Sequence, residues 1–295
     1  MSATRPSTWR QLLAEATDIL ASADEARRVV EEASGLSPAE LILALDDAVP
    51  ARSGVRLSAM VERRAAGEPL QYALGRWGFR TLDLMVDRRV LIPRPETEVV
   101  AGLAIEEGRR LLGLANRRPP DDRDLLVADL GTGSGAIAFS VAAELPPARV
   151  WATDASGDAL DVASSNLCGL GTAATRVHLA RGSWFDALPA SLRGGVGLVV
   201  SNPPYIADGE PLPTEVSAWE PSEALRSGPT GLECLSAIIA GVGDWLTEPG
   251  TLVLELAPHQ ASAVADMAVA AGFAADQVAV RHDLTGRERV LVARR

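Results

Sequence analysis

The sequence predicts an α/β fold, a mainly parallel sheet preceded by a small helical domain. Apolar residues recur at helical spacing through roughly the first 66 positions, and from Leu125 onward short buried-strand runs alternate with helical patterns. Near the end, two strand-type runs flank Asp283-Leu284-Thr285-Gly286-Arg287, which adds a terminal hairpin and with it one antiparallel strand.

Trp9, Leu12, Leu13, Ala16, Ile19 and Leu20 place an amphipathic helix near 8–21. Ser22 and Glu25 have capping-box spacing before Ala26, Val29, Val30 and Ala33, and Gly35 is a stop signal. Ser37, Pro38 and Glu40 open a third helix, and a fourth around 54–66 carries Leu57, Met60 and Val61. Residues 1–75 are therefore expected to be a small helical domain, either packing support or a substrate-binding domain for a macromolecule, 76–96 a linker with a strand or hairpin from Phe79 to Val86, and 97–295 the catalytic domain. Pro93 and Pro95 delay the next helix until about Thr97, and 116–124 reads as an exposed loop.

Leu125 to Leu130 is a buried-strand pattern, and Gly131-Thr132-Gly133-Ser134-Gly135 turns it into a helix beginning near Ala136. Glycines there let the backbone approach a ligand closely. A second strand, Arg149 to Thr153, delivers Asp154, placed to accept hydrogen bonds from ribose hydroxyls, and a helix follows around 157–168. Ser183-Trp184-Phe185 comes after a third strand, and Trp184 is a candidate to lie against an adenine face. Residues 207–230, with four prolines and little periodicity, read as a long loop beside the site. A helix over 232–246, a strand from Thr251 to Leu256 and a helix over 259–271 precede the hairpin runs Gln277–Val280 and Arg289–Ala293.

With 295 residues and 47% apolar content the chain can bury a sizeable core, and no apolar run approaches the ~20 residues that span a bilayer. Neither a signal segment nor a membrane span is expected, so the expected compartment is the cytoplasm. Cys168 and Cys234 are far apart and the three histidines are scattered, so neither disulfide nor metal is expected. The net charge of −11 opposes sequence-independent attraction to phosphate backbones. Every basic residue is arginine, and the absence of lysine excludes the P-loop and Schiff-base chemistry.

The chemistry centres on Asn202-Pro203-Pro204-Tyr205-Ile206, which follows the strand-type run Val196 to Val200 and so sits where open α/β sheets bind ligands. Two prolines stiffen the loop. An exocyclic amine or carboxamide nitrogen is a poor nucleophile because its lone pair is delocalised. Asn202 offers an acceptor for one N–H, the Pro203 carbonyl can take the other, and the Tyr205 ring can cover the flat face of the group. Such a loop suits methyl transfer to a planar nitrogen; a Pro-Pro turn capped by Asn is the plainer reading. The glycine turn is equally ambiguous, since Gly131, Gly133 and Ala136 with Asp154 also fit a dinucleotide fingerprint. Asp129 before the glycines, the Trp184 segment and the proline loop together favour S-adenosyl-L-methionine.

Four stretches in this order, Gly67-Glu68-Pro69-Leu70-Gln71-Tyr72, Leu91-Ile92-Pro93-Arg94-Pro95-Glu96-Thr97-Glu98, Asp129 to Gly135, and Asn202 to Ile206, resemble the protein-(glutamine-N5) methyltransferases that modify peptide-chain release factors. The likeness extends to Glu220-Pro221, Gly231-Leu232 and Asp283 to Arg287. It implies a Rossmann-like class I methyltransferase domain with a mainly parallel seven-stranded sheet, S-adenosyl-L-methionine as donor, and the Gly-Gly-Gln glutamine of a release factor as acceptor. Carried over residue by residue, it implies that Asp129, Gly131, Thr132, Gly133, Ser134, Gly135, Asp154, Trp184 and Asn202 bind the cofactor, and that Asn202, Pro203, Pro204 and Tyr205 hold the glutamine. The chain departs from the family at Glu255-Leu256-Ala257-Pro258, where a glycine is common soon after Leu-Glu. Rival readings are an adenine-N6 nucleic-acid methyltransferase, an NAD-binding oxidoreductase, and a cofactor-binding protein without catalysis. No direct nucleic-acid partner is expected.

Overall fold

The structure, a computed structural model, describes residues 7–115 and 124–295. The loop expected at 116–124 lies almost wholly outside the described residues. The chain divides into two compact units, one comprising residues 1–76 with 214–219, the other 77–213 with 220–295.

The first unit is helical. Helices α1 (Trp9–Leu20), α2 (Ala23–Ser34), α3 (Pro38–Ala44), α4 (Ala51–Ala65) and α5 (Leu70–Leu74) enclose a core of Trp9, Ala26, Val29, Val30, Leu41, Leu57 and Met60. Thr8 and Gln11, like Ser37 and Glu40, form reciprocal capping boxes, whereas Ser22 accepts from Glu25 N–H without a returning bond. Gly35 closes α2 at φ 71°, a left-handed position that favours glycine. Helix α4 begins three residues before the expected position, at Ala51, because its polar first turn carries no apolar periodicity. Arg63 clamps its end, donating to both oxygens of the buried Glu68 at 2.6 Å and to the Tyr72 carbonyl.

The second unit starts with a hairpin, β1 (Arg76–Phe79) and β2 (Leu82–Met85), followed by α6 (Pro95–Ala115). This helix starts two residues earlier than expected. Proline at a first helical position lacks only an N–H that would have no partner there, so Pro95 opens the helix rather than delaying it. Next come β3 (Leu125–Leu130), α7 (Ala136–Glu144), β4 (Ala148–Asp154), α8 (Gly157–Leu167), β5 (Val177–Arg181) and β6 (Val196–Ser201). The stretch 207–230 is not one loop. It contains the short helix α9 (Thr214–Trp219), which groups with the first unit, and a single turn at Ser222–Ala224. Elements this short leave no readable period.

Helix α10 (Glu233–Val242), strand β7 (Leu246–Glu255), helix α11 (Ala261–Ala270) and strands β8 (Val278–His282) and β9 (Glu288–Arg294) complete the unit. The seven strands run in the order β5-β4-β3-β6-β7-β9-β8, all parallel except β9. Alternate strand residues feed two cores. Val127, Val150, Leu198, Val200 and Val253 face Val100, Ile105 and Phe139 of α6 and α7, while Leu130, Val199, Leu252, Leu254 and Leu291 face Leu235, Ile238 and Val264 of α10 and α11. Strand order reverses at β3, with β4 and β5 on one side and β6 and β7 on the other, which opens a crevice beyond the carboxyl ends of the strands.

Candidate active site

That crevice is a cavity of about 230 Å³. Gly131 to Ser134 after β3, Asp154 to Ser156 after β4, Gly182 to Trp184 after β5, and Asn202 and Pro204 after β6 form its walls, with Leu91, Pro93 and Thr97 from the start of α6 and the turn before it.

The glycine turn is held by the ends of two strands. Gly131 and Thr132 N–H groups donate to the Thr153 carbonyl at 2.9 and 2.8 Å, and the Gly133 N–H donates to Asp154 Oδ2 at 2.9 Å. Gly131, Gly133 and Gly135 all have positive φ. A Cβ built on Gly135 would lie 2.1 Å from the Phe139 ring, so this glycine permits helix packing. One built on Gly133 would meet nothing within 4 Å, so this glycine keeps backbone open to the cavity.

Asp154 accepts from Gly133 and Ser156 N–H, yet burial pushes its carboxyl above the ordinary value despite those bonds. Asp129 is fully enclosed. Its Oδ2 accepts from the Thr132 hydroxyl at 2.7 Å and the Ala138 N–H at 3.1 Å, while Oδ1 is buried without a partner among the described residues. Burial drives this carboxyl up to about 7, opposed by the two hydrogen bonds and reinforced by the charge of Asp154. An acceptor left this way beside a glycine turn costs free energy until a donor meets it. Trp184 sits at φ 45°, a left-handed conformation that costs a non-glycine residue about 1–2 kcal/mol. Its ring lies against the glycine turn, Cζ3 standing 3.7 Å from where a Gly131 Cβ would be.

The proline loop is fixed from several directions. Ser201 Oγ donates to the Leu130 carbonyl at 2.5 Å, tying the ends of β6 and β3. Gln260 donates to the carbonyls of Tyr205 and Gly231 at 2.9 and 3.1 Å, and Ile206 N–H donates to Leu225 O. Asn202 Nδ2 donates to Thr97 Oγ1 at 3.2 Å, Thr97 Oγ1 donates to Glu255 Oε2 at 2.7 Å, and the Tyr205 hydroxyl donates to Glu255 Oε1 at 3.2 Å. Glu255 is 1% exposed and burial drives its carboxyl up to about 7; Tyr205 is pushed up as well, by burial and then by the charge of Glu255.

Gly131, Thr132, Gly133, Ser134, Asp154, Trp184, Asn202 and Pro204 thus share one cavity. Asp129, Gly135, Pro203 and Tyr205 stand outside its wall, the first two supporting the glycine turn and the others the proline loop. Sequence reasoning passed over Thr97 and Glu255 as site residues and the pairing of Arg94 with Glu220. A signal existed: an acidic residue ending an otherwise apolar strand, Leu252-Val253-Leu254-Glu255, must find donors if it is buried.

Residues 8–75 match the family described as PrmC N-terminal domain, and residues 104–218 the methyltransferase small domain. The release factor glutamine methyltransferase of Xylella fastidiosa Temecula1 is 41% identical over 96% of both chains. That of Burkholderia pseudomallei is 40% identical over 98% of this chain and 97% of its own. Among solved structures, the catalytic domain of human METTL16 shares the fold at 16% identity, with 82% of this chain and 79% of that one aligned at a TM-score of 0.52. Identity at this level along nearly the whole length, over a fold whose glycine and proline turns converge on one cavity, places the chain in the release factor glutamine methyltransferase family.

Proposed function

We propose that the protein transfers a methyl group from S-adenosyl-L-methionine to the N5 amide nitrogen of the glutamine in the Gly-Gly-Gln loop of peptide-chain release factors. The observation that carries this reading is that Asn202 and Pro204 line the same cavity as the glycine turn and Asp154, so donor and acceptor sites adjoin. Membership of the family supports the acceptor. No helix among the described residues is long and apolar enough to cross a membrane, and a substrate from translation puts the reaction in the cytoplasm.

The residues present fit the cofactor. The glycine turn leaves open space at Gly133, Asp154 supplies acceptors for a ribose, the Trp184 ring borders an adenine, and Asp154 on the cavity wall, with the open acceptor of Asp129 behind the turn, suits a ligand that carries ammonium and sulfonium charges. When bound, the sulfonium supplies an already electrophilic methyl group.

The chain's own contribution is position. Asn202 Oδ1 and the Pro203 carbonyl accept the two N–H groups of the glutamine amide, Pro204 and Tyr205 bound the group, and these hydrogen bonds strengthen as the nitrogen loses planarity. Thr132 and Ser134 complete the cofactor side. An amide N–H is far too weak an acid to be deprotonated first, so proton loss follows transfer. The helical unit is assigned the recognition of the release factor's body.

The test is intact-mass and peptide mass spectrometry of a release factor incubated with the protein and S-adenosyl-L-methionine, beside the same factor with its Gly-Gly-Gln glutamine replaced and beside adenine-containing DNA. One added methyl on that glutamine, absent from the replaced substrate, is expected. Methylated adenine with unmodified protein would overturn the assignment in favour of a nucleic-acid enzyme.

A further inference from the structure

We propose that Thr97 and Glu255 are positioning residues that decide which end of the Asn202 carboxamide faces the acceptor. The inference rests on the assignment of Asn202 to the glutamine amide and adds what makes that assignment possible. The two ends of a carboxamide are nearly alike in shape, and hydrogen-bond polarity alone distinguishes them. An acceptor site for a substrate N–H requires the oxygen to be presented. With the amide turned over, an NH2 group would confront the substrate NH2 and the site would repel it.

The polarity is set two residues back. An ionised carboxylate can only accept, so at the 2.7 Å contact with Glu255 Oε2 the Thr97 hydroxyl must donate. A hydroxyl has one proton. At its 3.2 Å contact with Asn202, Thr97 therefore accepts, which requires Nδ2 at that end and leaves Oδ1 for the substrate. The other oxygen of Glu255 takes the Tyr205 hydroxyl at 3.2 Å, so one buried carboxylate orients two side chains of the proline loop. Glu255 ends β7 and Thr97 lies in the first turn of α6, 158 residues earlier. Neither position belongs to the loop it controls.

The arrangement is enforced while Glu255 is charged and loosened when it is protonated. A protonated carboxyl can itself donate to Thr97, which then turns its proton toward Asn202 and favours the oxygen at that end. Burial raises Glu255 to about 7, while Thr97, the positive charge of Arg289 on β9 and the Tyr205 hydroxyl oppose the rise and Glu96 on α6 adds to it; Asp283 stands beyond Arg289, 3.9 Å from its Nε. Acidification through neutrality therefore weakens acceptor orientation without touching the glycine turn.

The chain has three asparagines, Asn116, Asn166 and Asn202, so protein labelled with ¹⁵N-asparagine gives three side-chain NH2 signals, and Asn202→Asp identifies the relevant one by its loss. As pH is raised from mildly acidic to mildly alkaline, the Asn202 signal is expected to titrate in the wild type, to stay flat in Glu255→Gln, to lose most of its movement in Thr97→Val and to regain it in Thr97→Ser. An Asn202 signal whose position and titration are unchanged in Thr97→Val would overturn the inference. If Glu255→Gln does not fold, the two Thr97 variants carry the comparison alone. In the transfer assay kcat should fall on the order of 10²-fold in Thr97→Val, the scale of a small misplacement at a reacting centre, and recover in Thr97→Ser. Wild-type protein whose signal titrates through Thr97 but which leaves release-factor glutamine unmodified would remove the acceptor assignment and keep the orientation. Active protein whose Asn202 signal is indifferent to Thr97→Val would do the reverse.

Discussion

Arg94 and Glu220, 126 residues apart in sequence, form an ion pair whose carboxylate side chain is only 1% exposed. The Ile92 N–H donates to the other carboxylate oxygen at 3.1 Å, so Glu220 joins the turn before α6 to the segment that follows α9. Leu91 and Pro93 of that turn, and Pro221, all line the cavity. The pair thus holds one wall of the site in place.

Removing one partner of such a pair leaves a buried charge without compensation, which costs about 3–5 kcal/mol. Arg94→Ala should approach the lower end of that range, since the arginine is itself one-third exposed. Glu220→Gln retains the volume and an acceptor for Ile92 N–H, and should cost clearly less. Urea denaturation of both variants checks the order; a smaller loss for Arg94→Ala than for Glu220→Gln would show that the charge of Glu220 is not what needs the arginine.

Asp129 makes a prediction about pH. Its folded carboxyl sits at about 7 against an ordinary 3.8, so the native state binds the proton more tightly than the unfolded chain. Stability from this group is fully present below the unfolded value and is lost as pH rises through about 7. Asp129→Asn keeps an oxygen for Thr132 and Ala138 and removes the ionisation. In thermal unfolding without ligand, the variant should gain on the wild type as pH rises from about 4 to about 7 and hold that gain at higher pH. A constant difference across that range would mean that Asp129 ionises in the folded protein as readily as in the unfolded chain.

Much of this was legible in the sequence because it is written in local pattern. The strand run from Leu125, the glycines at 131, 133 and 135, and Asp154 each declare themselves within a few residues, and the structure brings them to one crevice. What was not legible depends on pairing across long separations. Nothing near Thr97 announces that its hydroxyl meets Glu255, and nothing in the proline-rich stretch after Tyr205 announces that Glu220 folds back onto Arg94. The early start of α6 at Pro95 shows the opposite hazard, a local rule applied two positions too strictly.

Asn202 and Asp154 line one cavity but should fail differently. Asn202→Ala removes an acceptor proposed to act on the substrate nitrogen, so kcat should fall by roughly 10²–10³-fold, as when one hydrogen-bonding partner of a transition state is deleted, while calorimetric affinity for S-adenosyl-L-methionine falls far less. Asp154→Ala removes charged acceptors from the cofactor and from Gly133, and should weaken that affinity on the order of 10–100-fold. Retained turnover in the first variant, or unchanged affinity in the second, would remove the corresponding role.

Gly133 and Gly135 are two residues apart in the same turn, both at positive φ, and should nonetheless answer to different measurements. Alanine at either position incurs the left-handed cost of about 1–2 kcal/mol. At 135 the new methyl would also lie 2.1 Å from the Phe139 ring, which is fully buried against Val100 and Ile105 and has nowhere to go, so overpacking adds a further 1–3 kcal/mol or so. At 133 the methyl meets no atom of the described residues within 4 Å. Gly135→Ala should therefore be the less stable protein by denaturation with ligand absent, and Gly133→Ala should lose mainly affinity for S-adenosyl-L-methionine, because its methyl occupies space that the cofactor needs. Equal destabilisation with intact affinity in both would mean that the opening at Gly133 is not part of the cofactor site.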